Sequence, residues 1–134
     1  MTFQPEHRPR IVIADDHPSV LVAFARMLDT SCDVVASVPN GQAAINAVNR
    51  LKPDILLVDL MLPDIDGLAV CRTVRQTAPE TDVIIVTAFD DAQVEATAKQ
   101  DGACAFVPKH SAATTLECAI QRVWAGRQQK QQVD

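Results

Sequence analysis

The chain repeatedly runs a short, unbroken apolar segment into a polar side chain. Ile11-Val12-Ile13-Ala14 leads to Asp15 and Asp16. Ile55-Leu56-Leu57-Val58 leads to Asp59, and Val83-Ile84-Ile85-Val86 to Thr87. Ala103-Cys104-Ala105-Phe106-Val107 leads through Pro108 to Lys109. Runs of this kind suit strands covered on both faces, the situation of a parallel sheet, and do not suit an alternating, half-exposed one. A further strand is expected at Asp33–Val38. Between the runs the apolar positions recur at helical spacing: Val20, Leu21, Phe24, Met27 and Leu28; Ala43, Ala44, Ala47, Val48 and Leu51; a segment from Gly67 to about Pro79; Asp91 to Gln100; and Ser111 through Leu116, Ala119, Ile120, Val123 and Trp124 to a stop at Gly126.

Boundary residues agree with this division. Pro18 suits a first helical position, with His17 as cap; Asn40 or Gly41 caps the second helix and Lys52-Pro53 closes it. The fourth helix draws its apolar content mostly from alanine, so it is expected to be the least firmly packed. Strands alternating with helices predict an α/β fold: a doubly wound, five-stranded parallel sheet of order 2-1-3-4-5 with five helices and right-handed crossovers. The 134 residues fit one domain. Its expected extent is 10–126, after an N-terminal extension at 1–9 and before a glutamine-rich polar tail or linker start at 127–134.

A net charge of -5 argues against nucleic-acid binding through this domain, because that function leaves a basic face. Arg8 and Arg10 read as solvated chain. Cys32, Cys71, Cys104 and Cys118 lack metal-ligand spacing and read as small core residues of a reduced protein. No apolar run reaches the length of a membrane span and no signal-type apolar region opens the chain, so the expected location is the cytoplasm.

In a parallel sheet the strand C-termini share one edge, and at a doubly wound crevice that edge carries the chemistry. Asp15, Asp16, Asp59, Thr87 and Lys109 should therefore converge. Three carboxylates repel one another, and a hard divalent cation, Mg2+ or Mn2+, resolves the repulsion through oxygen ligands. Lys109 is placed to pair with a remaining carboxylate or with an incoming phosphate. Asp15 and Asp16 are alternatively plain helix caps, and Phe106 a core aromatic. His17 reads first as a helix-start residue near the site and second as a phosphate contact. Asp64-x-Asp66-Gly67 lacks the remaining ligands of a calcium loop and reads as a turn.

The ordered set resembles the receiver domain of two-component response regulators, the flavodoxin-like or CheY-like fold, over about Arg10 to Gly126. An acidic pair follows strand one (Asp15, Asp16), an Asp follows strand three (Asp59), a Thr follows strand four (Thr87), and an aromatic and a Lys lie around strand five (Phe106, Lys109). The resemblance implies a switch, not an enzyme acting on other substrates. Asp59 takes a phosphoryl group from a sensor histidine kinase, with Asp15, Asp16, Asp59 and the Met61 backbone carbonyl at the metal. Thr87 and Phe106 read the phosphorylated state. Asp15-Asp16-His17-Pro18, with no proline after Lys109, resembles the NarL/LuxR class. That class implies a DNA-binding output domain absent from this chain, and allows a homodimer. A stand-alone receiver acting through protein contacts is the alternative, and a metal-dependent phosphatase on a similar fold the remoter one. By the same resemblance, Met61 and Phe89 flank the site and are expected to limit water and lengthen the life of a phosphorylated Asp59.

Overall fold

The computed structural model describes residues 8–88 and 91–133, with side chains described as far as residue 127. Residues 1–7 of the expected extension at 1–9, and Phe89, lie outside the described residues. The elements are β1 (Arg10–Ala14), α1 (Pro18–Leu28), β2 (Asp33–Val38), α2 (Gly41–Leu51), β3 (Ile55–Asp59), α3 (Gly67–Thr77), β4 (Asp82–Thr87), α4 (Ala92–Gln100), β5 (Ala105–Pro108) and α5 (Ala112–Val133). A 3-10 turn, Lys109–Ser111, separates β5 from α5. The strands are parallel in the order β2-β1-β3-β4-β5, as the apolar runs predict.

Each central strand is buried on both sides because alternate residues feed two cores. Val12, Ala14, Leu56, Val58, Val83 and Ile85 pack with Ala44, Val48, Val70 and Val74 of α2 and α3. Ile11, Ile13, Ile55, Leu57, Ile84 and Val86 pack with Phe24 and Leu28 of α1 and Leu116 and Ile120 of α5. Each fully buried Ile, Leu or Val contributes about 1.5–3 kcal/mol, so these central strands are rigid carriers for whatever sits at their ends. The fourth helix is the contrast. Only Ala98 of α4 is buried, and a single methyl group contributes about 0.8 kcal/mol.

The loop from β3 to α3 is built from acids that cap helices. Asp64 accepts from the backbone N–H of Gly41 (2.8 Å) and Gln42 (2.9 Å), completing the α2 N-terminus that Asn40 caps through Ala43. Asp66 caps α3 by accepting from Ala69 N–H at 2.9 Å. Hydrogen bonds from Gln42, then Gly41, and from Ile65 hold the Asp64 carboxyl below its ordinary range. These acids form a turn, as expected, and lie outside the carboxylate cluster at the strand ends.

Several expectations are corrected. Arg8 and Arg10 are not loose chain: Arg8 donates to the carbonyls of Asp29 and Cys32 just past α1, and Arg10 to those of Leu51 (2.9 Å) and Lys52 (3.1 Å). The Asp29, Leu51 and Lys52 carbonyls are among those a helix end leaves without an intrahelical partner, and the Cys32 carbonyl lies just before β2. Cys104 and Cys118 are exposed, since one precedes β5 and the other lies on the outer side of α5; only Cys32 and Cys71 are buried. The last helix continues through Gly126 to Val133, where a polar tail is expected. Arg127 draws that extension inward, pairing with Asp82 at 3.1 Å and Asp54 at 3.4 Å. Among the described residues no helix is long and apolar enough to cross a membrane.

Two glycine substitutions test this architecture by chemical unfolding. A Cβ at Gly67 would stand 2.5 Å from the Asp59 carbonyl oxygen and 2.8 Å from Leu60 Cα, so Gly67→Ala is expected to lower stability by about 1–3 kcal/mol. A Cβ at Gly126 meets nothing within 4 Å inside a continuous helix, so Gly126→Ala should raise it by about 0.5–1 kcal/mol. A loss at Gly126 would mean that the helix ends there.

Candidate functional site

Register brings the predicted residues together. Ala14 pairs with Val58, which sets Asp15 beside Asp59 at adjacent strand ends. Asp59 pairs with Val86 and Thr87 with Pro108, so Thr87 and Lys109 complete the same edge. Asp15, Asp59 and Thr87 are 2%, 4% and 0% exposed, each buried by the strand that carries it. Lys109 reaches across from the turn after β5. Its Nζ lies 2.7 Å from Asp15 Oδ2 and 3.2 Å from Asp59 Oδ2, one ammonium shared by two buried carboxylates. The tighter partner is Asp15. The Met61 N–H donates to Asp59 Oδ1 at 3.3 Å, while the Met61 side chain is 57% exposed.

Asp16 is exposed and stands beside the buried pair. The residue that the sequence reading placed only near the site is His17. Its Nδ1 lies 3.1 Å from Asp15 Oδ1 and 3.0 Å from Asp16 Oδ1. Its backbone N–H donates to Asp15 Oδ1 at 2.9 Å. The available signal was the run Asp15-Asp16-His17-Pro18 itself. Proline at the first helical position leaves His17 in an extended N-cap conformation, and the ring folds back onto the acids. Phe106 is half-buried on the α4 side of the sheet, packed with the same core as Val94 and Ala98. Thr87 takes the next place in the series Val83, Ile85 on β4.

The electrostatics are unbalanced. Asp15, Asp16 and Asp59 face one lysine, which leaves two negative charges before His17 is considered. Burial holds the Asp59 carboxyl above its ordinary range; the Lys109 charge pulls the other way, and Asp15 adds to the rise. For Lys109, burial works to lower the pKa, but its hydrogen bond to Asp15 and the charges of Asp59 and Asp15 prevail and raise it. Carboxylate oxygens from Asp15, Asp16 and Asp59, with the His17 nitrogen, lie within 4.8 Å of one another. That donor set and charge deficit fit a divalent cation. The arrangement can hold a cation, present a buried carboxylate beside it and offer a lysine to a second anionic group.

Known proteins share this fold. The sequence profile of the response regulator receiver domain matches residues 11–121. Among curated relatives, the oxygen regulatory protein NreC of Staphylococcus aureus is 36% identical over 120 residues, covering 87% of this chain and 55% of its own. This chain thus spans about half the length of the curated relatives it matches. Among solved structures, the signal receiver domain of a candidate NarL response regulator from Mycobacterium tuberculosis superposes with a TM-score of 0.84 at 31% identity, covering 89% of this chain and 98% of that one. A LuxR-family two-component response regulator from Aurantimonas sp. SI85-9A1 gives 0.85 at 30%, covering 89% and 86%.

The raised Asp59 carboxyl carries a sign. The folded state binds this proton more readily than the unfolded one, so between the ordinary value of 3.8 and the raised value stability falls as pH rises. At neutral pH the ionised carboxylate is therefore destabilising. Asp59→Asn is expected to raise the urea midpoint at pH 7, with a gain that shrinks as the pH approaches 4. A midpoint that drops at pH 7 would mean that the bond to Lys109 outweighs desolvation.

Proposed function

The chain belongs to the receiver domain family of two-component response regulators, a family of phosphorylation-controlled switches, and from that premise we propose that Asp59 is its phosphoacceptor. The observation that carries this reading is the buried Asp59 carboxylate at the end of β3, sharing Lys109 with Asp15. In the transfer, an Asp59 carboxylate oxygen forms the new bond to phosphorus. The phosphorus–nitrogen bond of a kinase phosphohistidine breaks, and the departing imidazole nitrogen keeps its electron pair. A bound Mg2+ or Mn2+ supplies charge neutralisation for the phosphoryl oxygens. Asp16 and Asp59, with the Met61 carbonyl, would hold that ion, and Asp15 would support it.

Lys109 offers its ammonium to the arriving group, and its hold on Asp15 keeps it at the site throughout. Phosphorylation replaces one carboxylate charge by roughly -1.5 to -2. Thr87 answers that charge with its hydroxyl, and Phe106, half-buried under α4, moves inward as Thr87 moves. The weakly anchored α4 is the element best able to shift. Turning such a switch from 1:99 to 99:1 takes about 5.5 kcal/mol of differential stabilisation, more than the burial of Ala98 alone can resist.

The partner is a sensor histidine kinase in the cytoplasm. The likeness to NarL/LuxR receivers and to NreC supports a receiver part of a DNA-binding transcriptional regulator, with output through a domain outside this chain. The faces suited to a homodimer are α1 with α5, or α4 with β5 and α5. Loss of the phosphoryl group is the domain's own hydrolysis. The exposed, apolar Met61 beside Asp59 slows it by offering no group to orient water.

Incubation with a small acyl phosphate and Mg2+, followed by intact mass, tests the reading. A single phosphoryl adduct is expected, absent in Asp59→Asn and strongly reduced in Lys109→Met. An adduct that persists in Asp59→Asn would move the acceptor elsewhere. In the same assay Met61→Asn should lose its adduct faster than wild type; equal rates would remove Met61 from the control of hydrolysis.

A further inference from the structure

The apolar packing of α5 ends before the helix does. Leu116 and Ile120 are fully buried, and Val123 packs against the same core. The helix nevertheless runs on to Val133, although the sequence from 128 to 132 holds no apolar residue. Between the two stretches lies Gly126, where a Cβ would meet nothing within 4 Å. Glycine favours the helix less than alanine does by about two- to five-fold. Arg127, the first residue past that glycine, ties the extension to the sheet. Its guanidinium pairs with Asp82 at 3.1 Å and Asp54 at 3.4 Å, and donates to the Glu80 carbonyl. Three features make this a weak hold. The Arg127 side chain is 21% exposed, and partly exposed pairs add little each. Its Nε is buried with no acceptor, an unfavourable state that lasts only while the side chain is docked. A cavity of about 340 Å³ lies against the docked group, lined also by Asn49, Lys52 and Thr77, so the seat is not filled.

We propose that Arg127 is a latch and Gly126 its hinge. Docked, the latch continues α5 in line; released, it lets the helix break at Gly126 and residues 127–133 leave the sheet. The anchoring acids give the latch its meaning. Asp54 immediately precedes β3 and Asp82 opens β4, the strands that carry Asp59 and Thr87 at their other ends. Ile55 pairs with Asp82 in register, so one guanidinium spans the junction between these two strands. Any shift of β4 against β3 alters the spacing of the two acids and with it the seat of the latch. Hinges are built from a few residues near the ends of elements that absorb a backbone change, and Gly126 is such a position. In its last step the inference rests on the output domain proposed above: the latch then sets the direction in which the chain leaves the receiver.

Amide hydrogen exchange of the whole chain, read over residues 128–133, tests the device. Each pair biases the docked state by up to about five-fold, so Arg127→Met is expected to speed exchange there by about three- to twenty-fold. In about 1 M NaCl, where the screening length is about 3 Å, wild type should move toward the Arg127→Met rate while Arg127→Met itself changes little. Gly126→Ala should slow exchange by about two- to five-fold with or without Arg127, because it stiffens the hinge. Labelling of Asp59 by acyl phosphate is expected to be the same in Arg127→Met as in wild type. A wild-type chain that takes no label overturns the acceptor and leaves the exchange result standing, so the two readings fail separately. Unchanged exchange in Arg127→Met overturns the latch, since the extension is then held by the helix alone. Salt-independent exchange in wild type overturns it as well. So does fast exchange over all of residues 112–133 in Arg127→Met, which would make Arg127 an anchor of the whole helix and not a latch on its end.

Discussion

One ammonium shared by two buried carboxylates is the interaction on which the rest of this structure depends. Asp15 and Asp59 are almost wholly removed from water, and removing a charge from water without a partner is costly. Lys109 makes the arrangement tolerable and leaves it incomplete. Burial, with the Asp15 charge beside it, keeps the Asp59 carboxyl raised despite Lys109, which sits closer to Asp15 than to Asp59. A site so balanced gains from a divalent cation.

The fold keeps that deficit from spreading. The acids of the β3–α3 loop could have enlarged it, but Asp64 and Asp66 are committed to helix N-termini. Helix dipoles favour negative charge at those positions, so the same residue type is stabilising there and strained a few residues earlier. Gly67 makes the division possible by letting α3 start against the backbone of Asp59 itself. Rigidity is graded in the same way. The central strands fix the carboxylates, whereas α4 rests on Ala98 and partly buried neighbours and is the least firmly held helix.

At the other end of the sheet a second charged group does structural work. Arg127, carried by the extended α5, joins Asp54 before β3 and Asp82 at the start of β4, while Asp54 also accepts from the backbone of Arg10 at 2.9 Å. Partly exposed pairs of this kind contribute little individually. Their consequence is geometric: the last helix is tied to the sheet edge opposite the candidate site, which leaves the Lys109 end of the turn before α5 to be set by the carboxylates.

Local chemistry made the strands, the helices and the identity of the edge residues legible in the chain. Apolar runs must be buried on both faces, helical spacing must face them, and the polar residue that ends each run must lie at the C-terminal edge. Asp15, Asp59, Thr87 and Lys109 could be placed together on that argument alone, because parallel strands share an edge. What was not legible depends on distances between segments remote in sequence, or on the direction of a single side chain. Nothing local to Asp64 says that it caps α2, since Gly41 and Gln42 lie far back in the chain. Arg8 and Arg10 looked solvated because the helix carbonyls they satisfy come from elsewhere. Gly126 looked like a stop because glycine usually is one, and the pull of Arg127 on distant acids is invisible in sequence. His17 is the clearest case: its neighbours were adjacent in the sequence, yet only the tertiary structure, by closing β1 against β3 and folding the N-cap ring back, decided that its nitrogen faces the carboxylates.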